Sequence, residues 1–173
     1  MPLFIRQATA ADTAVVSAVL CEAAEWIAQT GVRMWKADEL SEARVASDVE
    51  AGLFHVAVVD DEIAGTIKFQ LTDLEFWPDV DQAACAFIHR LAVRRRHAGG
   101  KVAEALMTWA AGRARALGRR YLRMDTEASR LRLRARYERF GFRHHSDRQV
   151  GPYFVARYEI DLDGWEPAGP AAK

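Results

Sequence analysis

The stretch "LAVRRRHAGGKVAEAL", residues 91–106, joins three local patterns that together decide the fold. An apolar segment typical of a strand end is followed by three arginines, then by Gly99 and Gly100, then by apolar residues at helical spacing. The first N–H groups of a helix have no partner within the helix and carry partial positive charge, so this arrangement can bind an anion. Taken alone, the pattern favours a plain turn, because glycine is common in turns.

The apolar residues on either side of this stretch predict the rest of the architecture. Alternating apolar residues over 54–71 and 153–162 predict strands, and apolar residues at every third or fourth position over 13–30 and 102–117 predict helices. The predicted order is β-α-α-β-β-β-α-β-α-β-β. It predicts an α/β (α+β) fold, a single domain over 1–163 with a mixed, mostly antiparallel central sheet and helices on both faces. Residues 164–173, rich in proline and glycine, are predicted to form a flexible C-terminal tail.

Length and composition set the broad class of the protein. The 173 residues are enough for one domain with a sizeable core. No apolar run is long enough to span a membrane, and the N-terminal residues lack the pattern of a signal peptide. Cys21 and Cys85 are far apart and have no metal or redox spacing. We therefore expect a cytoplasmic protein that does not bind membranes.

Charge is unevenly distributed along the chain, although the net charge is zero. Residues 1–89 contain 5 Lys and Arg against 15 Asp and Glu, whereas residues 90–143 contain 16 against 4. The zero net charge argues against general nucleic-acid binding. The basic segment suits a polyanionic ligand and the acidic segment a cationic partner, although a solvated, arginine-rich helix surface also explains much of the basic segment.

Two short motifs, in their order and spacing, resemble those of the GNAT superfamily of acetyl-CoA-dependent N-acetyltransferases. That family has a strand ending in Leu-Ala-Val, a short connection, then Arg/Gln-x-x-Gly-x-Gly/Ala at the start of a helix. A later helix ends in Tyr-x-x-x-Gly-Phe. The element order of the family also matches nearly the whole chain. The corresponding residues here are Leu91-Ala92-Val93, Ala98-Gly99-Gly100-Lys101-Val102-Ala103 and Tyr137-Glu138-Arg139-Phe140-Gly141-Phe142.

The resemblance implies an acetyl-CoA co-substrate, no metal, and a role for each motif. The backbone of Leu91, Ala92 and Val93 would pair with the pantetheine arm as an added strand does. Main-chain N–H groups from Gly99 to Ala103 would hold the pyrophosphate. Tyr137 would protonate the departing thiolate, because an ordinary phenol, with a pKa of about 10, stays neutral at pH 7. A core aromatic side chain is the alternative interpretation of Tyr137. The loop residues that would bind the cofactor are Ala98, Gly99, Gly100, Lys101, Val102 and Ala103.

Three positions depart from the family pattern. Ala98 stands where the family has Arg or Gln, Lys101 stands at a glycine position, and Arg130 precedes the Tyr137 helix where relatives often have Asn. Lys101, Arg96 and Arg130 are therefore the candidates for a relocated positive charge at the cofactor. A second register that starts at Arg96 keeps Gly99 at the glycine position. We prefer the first register because Ala103 then fits.

The acceptor amine must be neutral to attack, so a base or an ordered water must take its proton. His89, two residues before the Leu-Ala-Val run, is the leading candidate, because an ordinary imidazole has a pKa of about 6.5. A histidine that only pairs with a neighbouring side chain explains the residue equally well. Other candidates for the acceptor side are Cys85, the loop residues Glu75, Asp79 and Asp81, and Glu22 and Glu25 on the first helix.

Three tryptophans lie in segments that flank the acceptor entrance in this family. Trp26 is at helical spacing, and we expect it in the core. Trp35 and Trp77 are in loops, so we expect them to line the acceptor pocket together with Glu25.

The sequence thus predicts an N-acetyltransferase that moves an acetyl group from acetyl-CoA to a primary amine of a small-molecule acceptor. The alternative is a non-catalytic acyl-CoA-binding or sensory domain with a degraded pyrophosphate motif, and a third hypothesis is an interaction protein that binds an acidic partner through its arginine-rich helices. The presence of Tyr137 favours the enzyme. Dimers are common in the family, so the resemblance also suggests a homodimer.

Overall fold

A computed structural model describes residues 2–32 and 35–167, and its elements follow the predicted order. The described residues form seven strands and four α-helices, with short 3₁₀ turns at Ala10–Asp12, Ala37–Leu40, Gln82–Ala84 and Arg95–His97. The strands are β1 Leu3–Gln7, β2 Phe54–Val59, β3 Glu62–Gln70, β4 Cys85–Val93, β5 Tyr121–Glu127, β6 Arg143–Val150 and β7 Tyr153–Asp161. The helices are α1 Thr13–Ala28, α2 Glu42–Glu50, α3 Val102–Ala116 and α4 Leu131–Phe140.

The strands form a seven-stranded sheet in the order β1-β2-β3-β4-β5-β7-β6. The described registers are antiparallel for β1–β2, β2–β3, β5–β7 and β6–β7. The described β4–β5 pairs are parallel and run from Cys85↔Tyr121 to Phe87↔Arg123. The predicted α/β class with a mixed, mostly antiparallel sheet is confirmed.

Two compact units make up the chain: Met1–Phe69 with Arg90–Trp109, and Gln70–His89 with Ala110–Lys173. In the first unit, buried residues of α1, α2 and β2 form one apolar cluster, with Val16 and Leu20 on α1 and Val56 on β2 almost inaccessible to solvent. The β2–β3 connection consists of Asp60 and Asp61, which both have positive φ, as a two-residue hairpin turn of the primed type requires.

Gly65 on β3 allows α3 to approach the sheet in the first unit. A Cβ atom added at Gly65 would lie 2.9 Å from the carbonyl oxygen of Ala92 and 2.9 Å from Cγ1 of Val102. It would also lie 3.3 Å from Cδ1 of Leu106. Any side chain here would therefore displace the start of α3, the segment that the sequence assigns to the cofactor.

In the second unit, β5 pairs with β7 along its whole length, and β7 pairs with the outer strand β6. A second apolar cluster centres on Trp77, Cys85 and Phe87. Trp165, beyond β7, packs its ring 5.7 Å from the ring of Phe140. The predicted start of the tail at residue 164 therefore falls just before a packed residue, and residues 168–173 of that tail lie outside the described residues.

Among the described residues, none of the helices has the length and apolar character needed to cross a membrane.

Candidate active site

The connection from β4 to α3 presents the unpaired start of a helix. After β4 the chain makes the 3₁₀ turn Arg95–His97, passes through Gly99 at φ 78° and enters α3 at Val102. The carbonyl of Lys101 accepts the first helical hydrogen bond, from the N–H of Ala105 at 2.9 Å, so Lys101 is the N-cap. The first N–H groups of α3 therefore lack helical partners and can bind an anion.

Not every N–H group of this loop is available. The N–H of Ala98 donates to the carbonyl of Arg95 at 3.1 Å, and that of Gly100 to the carbonyl of His97 at 3.3 Å. In this conformation the N–H of Gly100, one of the predicted donors from Gly99 to Ala103, is therefore paired within the loop. The positive φ falls on Gly99. Gly99 is the glycine position of the motif in the second register, which starts at Arg96, whereas Lys101 occupies the glycine position in the first register, which starts at Ala98.

The three arginines of the loop all have partners in the first unit. Arg94 donates to the Glu22 carboxylate at 3.0 Å, and the same carboxylate accepts from the backbone N–H of Arg95 at 2.8 Å. Arg96 forms a surface ion pair with Glu62. Lys101, in contrast, is exposed at the N-terminus of α3.

The structure corrects the expectation that Trp26 is a core residue. Its side chain is 41% exposed, and the guanidinium of Arg95 lies 4.0 Å from its ring centroid. Trp35 is partly buried under the guanidinium of Arg90, 5.1 Å from its ring centroid. Glu25 is exposed on α1. Trp35 and Glu25 keep surface that a ligand can reach.

Tyr137 lies on α4 in the second unit and is 8% exposed. Its ring packs edge-on against Phe142 at 6.0 Å, so Tyr137 is a core aromatic residue. This packing is compatible with a chemical role for its hydroxyl. Burial raises the pKa of Tyr137 to about 12, with the positive charge of Arg130 acting in the opposite direction and the negative charge of Asp125 adding to it. The phenol is therefore protonated throughout the physiological range.

Arg130 is the residue immediately before α4 and is half-buried. Burial lowers the pKa of its guanidinium, and the nearby Tyr137 and Glu127 act in the opposite direction. Arg130 is thus a cation next to the Tyr137 phenol.

His89, on β4, lies between two carboxylates in the second unit. Its Nε2 is 3.0 Å from Oδ2 of Asp73, in the loop after β3, and its Nδ1 is 3.7 Å from Oδ2 of Asp125, on β5. The Asp73 side chain is 4% exposed, that of Asp125 11% and that of His89 19%. The contacts do not meet hydrogen-bond geometry, so Nε2 of His89 and the Oδ2 atoms of Asp73 and Asp125 are buried polar atoms without a hydrogen-bond partner among the described residues.

The two carboxylates of this group differ in their electrostatic environment. Burial raises the pKa of Asp125 to about 6, against the opposing charge of His89. Burial also disfavours the charged form of Asp73. There the interaction with His89 and the N–H group of Phe76, 3.0 Å from Oδ1, outweigh burial and hold the pKa of Asp73 below its ordinary value. Asp73 is therefore ionised at neutral pH, whereas the Asp125 carboxyl titrates close to neutral pH.

The model of the acetyltransferase (GNAT) family matches residues 20–142. The chain belongs to this family. The resemblance drawn from the Leu-Ala-Val, glycine-loop and Tyr137 motifs is thereby confirmed.

Individual relatives of this GNAT acetyltransferase agree with the assignment. An uncharacterized N-acetyltransferase from Bacillus subtilis, YesJ, is 25% identical over 139 residues, which cover 76% of each protein. The PaiA N-acetyltransferase of Thermoplasma acidophilum, determined in complex with coenzyme A, has a TM-score of 0.75 at 17% identity, with 92% of this chain and 100% of that chain covered. The yncA protein of Salmonella typhimurium, determined with its cofactor acetyl-CoA, has a TM-score of 0.72 at 17% identity, with both chains fully covered. At these identities the structures establish the fold.

Trp77 does not line a pocket in this GNAT acetyltransferase. Its side chain is fully buried, and the guanidinium groups of Arg157 and Arg123 lie 4.5 and 5.1 Å from its ring centroid. The prediction that Trp77 binds the acceptor is therefore wrong for this conformation. Its loop folds back onto the sheet and is held there by the ion pair of Arg157 with Asp79, at 2.7 Å.

Sequence reasoning found His89 but missed both of its carboxylate partners. It named Glu75, Asp79 and Asp81 in the loop after β3, yet the residue of that loop that reaches His89 is Asp73. Cys85, another candidate, is buried and donates to the carbonyl of Asp81 at 3.0 Å, and burial raises the pKa of its thiol. The sequence held no distinctive signal for Asp125, since the strand 121–126 also contains the charged Arg123.

Proposed function

We propose that this GNAT acetyltransferase transfers an acetyl group from acetyl-CoA to a primary amine of a small molecule, by direct attack of the neutral amine on the thioester. The observation that carries the proposal is the start of α3, where a helix N-terminus and a glycine at positive φ directly follow β4. A helix N-terminus of this kind is suited to pyrophosphate. The coenzyme A and acetyl-CoA bound by the PaiA and yncA proteins support the choice of co-substrate.

Within this proposal the first unit binds the cofactor mainly through backbone. The N–H groups of Val102 and Ala103, at the start of α3, hold the pyrophosphate, and the backbone of Leu91–Val93 pairs with the pantetheine arm. Lys101 supplies the positive charge, because Arg96 is already paired with Glu62. The contribution of Ala98 is limited to its backbone.

The second unit supplies the proton chemistry. Tyr137 donates its phenolic proton to the thiolate as the carbon–sulfur bond breaks, which its high pKa permits because the phenol is fully protonated beforehand. Arg130 stabilises the phenolate that remains, because the two groups interact electrostatically. His89 belongs to the group that removes a proton from the acceptor's ammonium.

On the acceptor side we propose Trp35 and Glu25 as contacts, because an aromatic face and a carboxylate both favour a cationic amine. The cytoplasmic location and the homodimer stay predictions.

The test combines a binding and a turnover measurement on the full chain. Acetyl-CoA is expected to raise the thermal unfolding midpoint in a saturable way, since a ligand that binds only the folded state stabilises it by about 2.7 kcal/mol at a hundredfold excess over Kd. A panel of primary amines is then screened for release of free thiol from acetyl-CoA. Stabilisation without thiol release from any amine would favour the non-catalytic acyl-CoA-binding alternative, and the absence of any shift would contradict both.

A further inference from the structure

The arrangement of Asp73, His89 and Asp125 calls for an explanation beyond simple pairing. A buried imidazole with a carboxylate at each ring nitrogen is costly unless protons are shared, because burying charged groups without partners is unfavourable. The side chains come from three separate places: the loop after β3, β4 and β5. Their convergence therefore reflects the fold and is not a local turn.

The two ring nitrogens of His89 have different tasks in this geometry. A neutral imidazole carries a proton on one nitrogen and a lone pair on the other. Nε2 is the nitrogen nearer to a carboxylate, at 3.0 Å from Asp73, and Asp73 is the carboxylate held in the ionised form. A neutral His89 is therefore expected to carry its proton on Nε2 and its lone pair on Nδ1, which faces Asp125 at 3.7 Å.

Asp73 is itself fixed by its loop. Its Oδ1 accepts from the N–H of Phe76 at 3.0 Å, and its own N–H donates to the side-chain oxygen of Gln82 at 2.7 Å. The ring of Phe76 lies 6.3 Å from that of His89. Asp73 is thus a rigid anion behind the imidazole, in the position from which a carboxylate fixes the tautomer of a catalytic histidine.

Asp125 has the surroundings of a group that changes protonation state. Its surroundings act in opposite directions: burial, Asp73 and Glu75 favour its acid form, and His89 and Arg157 favour its anion. The charge of Asp125 also favours the protonated form of the Tyr137 phenol, so the two groups are electrostatically coupled.

We propose that Asp125 is the catalytic base, that it accepts the proton of the acceptor's ammonium directly or through one water, and that His89 and Asp73 are the positioning residues behind it. Both nitrogens of His89 are directed to carboxylates, so the imidazole acts through Asp125 and does not contact the amine. This inference rests on the proposed amine acetylation and names the residue that performs its first proton transfer.

The proton balance of the reaction closes with these groups. The ammonium N–H bond breaks and the proton moves to the Asp125 carboxylate, from which it can pass to Nδ1 of His89. The neutral amine forms the carbon–nitrogen bond, the carbon–sulfur bond breaks, and Tyr137 protonates the thiolate. Of the two protons that the nitrogen loses overall, one leaves to solvent from Asp125 and one restores Tyr137.

The first experiment is independent of turnover. With ¹⁵N-labelled histidine, NMR of the free protein follows both ring nitrogens of His89 against pH, in wild type and in Asp125→Asn, Asp73→Asn and Asp147→Asn. The last is a matched control, because Asp147 pairs with the exposed His144 at 2.8 Å. We expect a proton on Nε2 in wild type, a pH dependence of the Nδ1 signal that changes in Asp125→Asn, tautomer mixing in Asp73→Asn, and no change at His89 in Asp147→Asn. A single-step titration that is identical in wild type and Asp125→Asn would overturn the relay.

The second experiment uses the best amine of the panel. Asp125→Asn is expected to lower kcat/KM by about 100-fold and to remove the acidic limb of the pH profile near pH 6. Asp73→Asn and His89→Gln are each expected to lower kcat/KM by about 10-fold. The kcat/KM of Asp147→Asn is expected to equal that of wild type. Full activity of Asp125→Asn with the wild-type pH profile would overturn its role as base. If no amine is acetylated, the proposed function fails, whereas the NMR titration still decides whether the proton-sharing group exists. Tight binding of Zn²⁺ alone at these three side chains, required for activity, would replace the relay with a metal site.

Discussion

At the scale of single residues, the chemistry depends on a few side chains whose surroundings differ from those of ordinary surface groups. Tyr137 is kept neutral by burial, and Asp125 is brought by burial to a pKa of about 6. In the first unit the distinction is between paired and exposed cations. Arg96 is committed to Glu62, whereas Lys101 is exposed at the helix N-terminus.

The difference between Lys101 and Arg96 gives a testable pair of variants. Lys101→Ala is expected to raise KM for acetyl-CoA about fivefold, since one exposed charge at a helix N-terminus contributes on the order of 1 kcal/mol to anion binding. Arg96→Ala is expected to change KM by less than a factor of about two, because its charge is already neutralised by Glu62. Steady-state kinetics at low and high salt measure both. A larger effect of Arg96→Ala than of Lys101→Ala would show that the cation has been assigned to the wrong residue.

The buried Asp125 carboxylate lowers the stability of the folded protein at neutral pH, a cost that catalytic groups can impose. Its pKa is higher in the folded protein than the ordinary value near 3.9, so between about pH 4 and pH 6 the folded state holds more protons than the unfolded state. The free energy of unfolding therefore falls as pH rises through this window. Asp125→Asn, which is uncharged at every pH, is expected to gain about 1–3 kcal/mol relative to wild type at pH 7 and to lose that gain below pH 4.

Chemical denaturation of wild type and Asp125→Asn at pH 4 and pH 7 measures this difference. A variant that is less stable than wild type at pH 7 would show that the Asp125 carboxylate is a net stabilising partner of His89, which is contrary to this account.

At the scale of elements, the position of α3 is set by the absence of a side chain on β3. A Cβ at residue 65 would overlap the Ala92 carbonyl oxygen and the Val102 side chain, both at 2.9 Å. Gly65→Ala is expected to destabilise the protein by about 1–3 kcal/mol, the usual cost of overpacking, and to raise KM for acetyl-CoA because the start of α3 moves.

A second glycine provides the control. Gly112 lies within α3, and a Cβ there would have no atom within 4 Å. Gly112→Ala is expected to stabilise the protein by about 0.5–1 kcal/mol, since alanine favours a helix interior over glycine. Thermal and denaturant unfolding of the two variants give the comparison. Equal effects of the two substitutions would mean that the contact at Gly65 does not constrain α3.

At the scale of the whole molecule, the sequence predicted the order of strands and helices because apolar periodicity and glycine positions are local signals. The β4–α3 loop and Tyr137 were found for the same reason, since both belong to short contiguous motifs. The partners of His89 were not predictable in this way, because Asp73 and Asp125 reach it only through long-range folding. Trp77 was misplaced because the loop after β3 folds back over the sheet and buries the ring. Trp26 was misplaced because its ring is exposed and covered by the guanidinium of Arg95.

The charge asymmetry of the chain also has a different meaning in the folded protein. In the first unit, arginines of the basic segment pair with acidic residues that come earlier in the sequence: Arg94 with Glu22 and Arg96 with Glu62. The positive charges of Arg94 and Arg96, next to the start of α3, are therefore neutralised internally. Backbone donors and Lys101 consequently become the main candidates for anion binding.

The most direct test of the central claim is acetyl transfer by wild type, Tyr137→Phe and Tyr158→Phe, with the acetylated amine detected by mass spectrometry. Tyr158 is the control, since it is also a buried tyrosine but its hydroxyl is engaged with Arg134 and Glu138 at 2.8 Å each. The account predicts an acetylated primary amine with wild type, a loss of about 100-fold in kcat for Tyr137→Phe, and a kcat close to wild type for Tyr158→Phe. Undiminished turnover by Tyr137→Phe, or the absence of any acetylated amine with wild type, would contradict it.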